Sequence, residues 1–151
     1  MKNTFLTLLL LAISSISFGQ FVATMEVKED IPGLCNKNGV YALMSILDGQ
    51  KVAVCPVSKS EILIRLNSEV LFLQDNPDYK DKGMIGIIIN CKGKVVKCEM
   101  DNNTKDAVLD KQIETVFNSL GNWKAGKLNG KKVDSIKLFS FKIRKGKFYW
   151  D

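Results

Sequence analysis

The stretch Gly83–Ile143 constrains the fold more than any other, because its hydrophobic period switches from strand to helix and back. Met84–Ile89 is an apolar, isoleucine-rich run, as a buried strand requires. Asn90-Cys91-Lys92-Gly93 supplies turn residues, and Gly93 is free to take a positive φ. Lys94–Met100 returns as a second strand, with Lys94 and Lys97 suited to a partly solvated surface. From Ala107 to Leu120 the period becomes helical. Leu109, Ile113, Val116, Phe117 and Leu120 form one apolar stripe, the mark of a helix packed on a core. Asn102, Asn103 or Thr104 is placed to cap its first turn, and Asp106 suits the positive end of the dipole. Gly121 sits where a left-handed C-terminal cap belongs. Beyond Trp123, which suits a plug at the helix-to-strand corner, Asn129-Gly130 marks a tight turn. Val133–Ile143 then reads as a strand, with Phe139, Phe141 and Ile143 alternating with Ser140, Lys142 and Arg144. Ile136 and Leu138 fall on the other parity, which predicts a bulge or a change of face near Leu138.

The first half is less regular. Gln20–Asn38 reads as an irregular lead with a Pro32-Gly33 turn. Val40–Leu47 and Lys51–Val57 flank Asp48-Gly49, which predicts a hairpin. Ser58-Lys59-Ser60-Glu61 has capping-box form. A helix over Ile62–Leu73 follows, with Leu63, Leu66, Val70 and Leu73 along one side, closed by Asn76-Pro77-Asp78.

Met1–Gly19 has the form of a cleaved export signal. Lys2 gives a positive start, Phe5–Ile13 an apolar centre, and Ser17 and Gly19 small residues before a cut at Gln20. The apolar run is shorter than the ~20 residues a bilayer span needs, so no retained transmembrane helix is expected. Export would place Cys35, Cys55, Cys91 and Cys98 where disulfides persist. Four cysteines allow three pairings. With the turn at Asn90–Gly93, Cys98 lies opposite about Ile85, too far from Cys91 for the ~7 Å limit on Cα separation. The sequential pairing is thereby disfavoured. Cys35 and Cys55 then staple the N-terminal part to the hairpin, the competing reading being free buried thiols.

Composition excludes several functions. No histidine is present, so the usual general base is missing. No nucleophile elbow, P-loop or dinucleotide fingerprint occurs, and no CxxC or tetrahedral ligand spacing. The sequence therefore predicts no enzyme, no cofactor and no metal site. Its net charge is +6, or +5 without Met1–Gly19, whose one charge is Lys2. The excess lies late, in Lys124, Lys127, Lys131, Lys132, Lys137, Lys142, Arg144, Lys145 and Lys147, with Asp134 the one acid among them. Such a surface suits an acidic protein or anionic envelope components, or simply keeps an edge strand from pairing. An exported chain without an RNA-binding aromatic motif is a poor nucleic-acid partner.

Three features in order resemble the C-terminal domain of TonB, the periplasmic energy transducer of Gram-negative bacteria. These are the Gly-started hairpin with a Gly turn (Gly83, Gly93), the Leu109-Asp110 pair opening the helix, and the Trp123…Gly126…Asn129-Gly130…Val133 signature. The chain departs from that family in carrying Ala125 where a Pro usually stands, and in lacking a Pro-rich spacer. The resemblance spans about Tyr79 to Lys147. It implies an α+β fold: a small antiparallel sheet with helices on one face, a β-β-α-β unit preceded by an N-terminal hairpin and helix. The divisions are 1–19 (signal), 20–78 (hairpin-helix extension) and 79–151 (TonB-like domain). It also implies a periplasmic or secreted binding module whose last strand, through Ser135, Lys137, Phe139, Phe141 and Ile143, accepts an extended segment of an envelope protein such as an outer-membrane transporter. The competing readings are a structural or inhibitor-like envelope protein that keeps only the fold, and a homodimer closed through the same edge.

Overall fold

The computed structural model describes residues 22–151; the expected leader lies outside them. It is an α+β structure with three helices, a mixed six-stranded sheet and a small three-stranded antiparallel sheet. In chain order the elements are β1 (Ala23–Met25), β2 (Val40–Ala42), β3 (Gln50–Lys51), α1 (Lys59–Glu69), α2 (Phe72–Asp75), β4 (Asp81–Ile89), β5 (Val95–Asn102), α3 (Ala107–Asn118), β6 (Lys127–Leu128), β7 (Lys131–Lys132), β8 (Ser135–Arg144) and β9 (Lys147–Trp150). The large sheet runs β1-β2-β8-β4-β5, with β9 also on β8, and the small one β3-β6-β7.

β4 is the spine, antiparallel to β5 on one side and to β8 on the other. Its odd-numbered residues Ile85, Ile87 and Ile89 point at the helices and are wholly buried. Phe139, Phe141 and Ile143 of β8 and Phe148 of β9 join them, against Ile62 and Leu66 of α1 and Leu109, Ile113 and Phe117 of α3. At about 25 cal/mol per Å² of apolar surface, this is the term that holds the sheet and helices together. Ile88, on the other face, is also buried. The apolar run of β4 is continuous because both of its faces are covered there.

β8 keeps nine consecutive partners on β4, from Asp81↔Ile143 to Ile89↔Ser135, without a shift. The bulge expected near Leu138 is absent from this ladder. The parity break arises because Ile136 and Leu138 look out of the opposite face of a regular strand. Register shifts occur instead between β4 and β5, which sets Cys98 opposite Ile87 and not Ile85.

α3 begins where expected, but Asp106 itself is the N-cap, accepting from the amides of Val108 (2.9 Å) and Leu109 (3.1 Å). Thr104 instead donates to buried Asp110 through its hydroxyl (2.7 Å) and its amide (3.0 Å). Asn103 Nδ2 adds a third bond at 2.8 Å. Ser58 caps α1 by accepting from Glu61 N, as the capping box predicts. The helix expected over Ile62–Leu73 is broken at Val70, and α2 follows as a separate turn. The break is tolerated because Gln112 Oε1 of α3 accepts from the Phe72 amide (2.9 Å).

The expected hairpin around Asp48-Gly49 does not form. β2 pairs antiparallel with β1 and parallel with β8, while β3 pairs with β6. Met44–Leu47 coils through turn bonds (Leu47 N to Met44 O, Gln50 N to Leu47 O), so it cannot run as a strand beside β3. The irregular lead likewise contains β1, and the sheet antiparallel in expectation is mixed. Gly93 joins the pieces: its φ is +84°, and any Cβ there would collide with the Trp123 carbonyl. Trp123 returns its amide to Gly93 O at 2.8 Å and packs edge-on against Phe139.

Candidate binding surface

One disulfide forms, Cys35–Cys91, stapling the N-terminal lead to the β4–β5 turn. Cys55 and Cys98 are free thiols. The staple expected from Cys35 thus forms, and the one expected from Cys55 does not. Beside the disulfide lies buried Asp134. Its Oδ2 accepts from the amides of Cys35 (2.8 Å) and Asn36 (2.7 Å), and its Oδ1 from Cys91 N (2.7 Å). The two sulfurs and the carboxylate lie within 4.8 Å of one another. This donor set does not suit a cation. The sulfurs are bonded to each other, and the oxygens already face three N–H groups. Its effect is mechanical: three distant segments converge on one carboxylate.

Two thiols stand outside the disulfide. Burial pushes Cys98 up to about 12, with the Glu114 and Glu99 carboxylates adding to the effect. Burial also raises Cys55, against a smaller opposing hydrogen bond at Val57. Neither has the electropositive surroundings of a nucleophilic cysteine.

The edge expected on β8 is occupied at both ends. Ser135, Phe139, Phe141 and Ile143 are buried on the helix side, and Lys137 is half-buried. The side chains of the first four are taken up by the core. On the side of β8 away from β4, β2 pairs at Ser135 and β9 pairs from Phe141 to Arg144. Asp151 N bonds Ser140 O in continuation of β9. The outer rim of β9 is closed in turn by a side chain. Asn67 of α1 accepts from Phe148 N (2.9 Å) and reaches back to Phe148 O (3.5 Å), as a neighbouring strand would. The sequence signal for β9 was present: after Lys145-Gly146, Phe148 and Trp150 alternate with Lys147 and Tyr149.

Three other features are exposed. β5 has no strand on the side away from β4 among the described residues. Met100 N points that way and is met by Glu114 Oε1 at 3.2 Å. Second, the lead from Met25 to Ile31 crosses the sheet face opposite the helices. It roofs a cavity of about 220 Å³ whose floor is Gly86, Ile88 and Ile136. Its mouth carries Lys97, whose ammonium is held charged first by Glu99 (2.7 Å) and then by Glu29 (3.4 Å). Third, a basic groove opens along the β8–β9 hairpin, lined by Lys80, Lys142, Arg144, Lys145, Tyr149 and Trp150.

Among the described residues no helix is long and apolar enough to cross a membrane. The disulfide fits an oxidising compartment. Comparison of the chain with protein-family models, curated proteins and solved structures yields no match.

Proposed function

We propose that the chain is an exported binding module of the periplasm or extracellular space, which takes an extended segment of an envelope protein by strand addition. Support for the TonB-like reading is the order β4-β5-α3-β8 with Gly93, Trp123 and Asn129-Gly130 in their turn and corner positions. The acceptor in this reading is β5, not β8. The observation that carries it is the unpaired rim of β5. Because Met100 N faces outward, the alternation of a strand aims Cys98 the same way. Their backbone groups supply affinity, and Lys97, Glu99 and Asp101 on one face supply selectivity.

The test is selection of extended peptides from a random displayed library, followed by amide exchange. A bound peptide is expected to protect the amide of Cys98. Cys98→Pro removes an outward donor without breaking the β4 ladder and is expected to abolish capture. Peptides that protect other amides, or that still bind Cys98→Pro, would sink the proposal. The sealing of the β8 side by β9 and Asn67 favours one competing reading, a structural or inhibitor-like envelope protein. That reading predicts no peptide capture at all.

A further inference from the structure

We infer that the groove along the β8–β9 hairpin is a second binding site, built for an anionic polysaccharide. β8 and β9 join through Lys145-Gly146, both at positive φ (49° and 63°). The chain contains its own comparison. Its other turn of this kind is Asn129-Gly130, with φ 50° and 80°, and Asn is the residue that such a turn prefers. A lysine there is sterically costly, since its Cβ crowds the backbone in the left-handed region. The tip is also clamped. Gly146 N bonds Tyr79 O at 3.1 Å, and a Cβ on Gly146 would sit 3.0 Å from Pro77 Cα and O. This clamp brings Lys80 to the groove opposite Arg144 and Lys145.

The charges are arranged against each other. Lys82 lies directly across from Lys142, and Arg144 directly across from Lys147. Like charges facing across a ladder destabilise a sheet. Protection of a sheet edge does not account for the first pair, because β4 and β8 are interior strands there. Lys142 is partnered by Asp151 at 2.7 Å, whereas Lys80, Arg144 and Lys145 have no ion pair among the described residues. The Asp151 carboxylate already offsets the first pair and also acts on Arg144; an anion in the groove would add to it at Lys80, Arg144 and Lys145.

The ligand class follows from what surrounds the cations. Tyr149 is 46% exposed between them, and its ring offers a flat apolar face. At Phe148 no ladder is on offer, because Asn67 occupies its outward groups. An acidic peptide would find charge but no backbone partners. A pyranose chain needs none: its C–H face stacks on the ring, and its carboxylates meet Lys80, Arg144 and Lys145.

The test uses the oxidised full chain after export and a hexagalacturonate probe, titrated by calorimetry at low and physiological salt. Binding is expected, weakening with salt as exposed charges are screened. Lys145→Asn with Arg144→Gln is expected to lower affinity at least about tenfold. Lys145→Asn alone should leave the melting temperature unchanged or raised, which separates lost binding from lost folding. Tyr149→Ala should weaken hexagalacturonate binding as well. Absence of binding at low salt overturns the proposal. So does equal affinity for oligoglutamate, oligothymidylate or anionic vesicles, or indifference to Tyr149→Ala, each of which marks a general cation surface.

Discussion

Removing the Cys35–Cys91 linkage by the double substitution Cys35→Ser, Cys91→Ser tests how the N-terminal lead is held. The linked residues are 56 apart in sequence. Closing a loop of that length in the unfolded chain removes entropy worth about 4 kcal/mol at 25 °C. The folded state should lose little, because Asp134 takes its three bonds from backbone amides, which serine retains. The stability of a domain this size is about 5–15 kcal/mol, so the variant should fold but be strongly weakened. Urea unfolding followed by tryptophan fluorescence reads the change, and a fall of roughly 8–16 °C in Tm accompanies it. A second signature separates mechanisms. If the linkage acts on the unfolded ensemble, the variant's unfolded chain is more expanded and the m-value rises. A loss below about 1 kcal/mol with an unchanged m-value would refute this reasoning. The lead would then owe its order to Asp134.

Other consequences follow from the same geometry. Cys98, pushed up to about 12, stays protonated at pH 8, so a disulfide reagent should label Cys55 well before Cys98 in the folded protein, and equal rates would contradict the burial argument. Asn67→Ala uncovers both backbone groups of Phe148 and should cost about 1–3 kcal/mol, with faster exchange of the Phe148 amide; unchanged exchange would show that Asn67 does not seal the strand. Burial alone would raise the Asp81 carboxyl, but bonds from the amides of Lys105 and Lys82 and from the Tyr79 hydroxyl hold it below the usual carboxylate range. Its contribution is therefore complete above the unfolded value of about 4 and is lost as pH falls through the depressed folded value. Asp81→Asn should flatten that acid limb of a stability–pH curve, and an unaltered limb would assign it to other carboxylates.

The neighbours that β8 acquires at its two ends were not legible in the sequence. A free rim is a statement about what every other segment does. β2 reaches Ser135 from 94 positions earlier in the chain, through a strand of three residues too short to carry a period. Asn67 closes β9 from 81 residues away, with a side chain that looks like any exposed helical amide. Residue types alone could not announce either contact.

What the sequence determined by itself is local. The β4–β5 turn at Gly93, the apolar stripe of α3, the Ser58 cap and the Asn129-Gly130 turn were legible because their causes lie within a few residues: backbone freedom, helical period and a nearby oxygen. Only the tertiary structure decided which strand lies at the rim, which cysteine meets Cys91 and which lysines face one another across the sheet. Those depend on long-range pairing, where each strand's free side is fixed by the neighbours that the whole core brings to it.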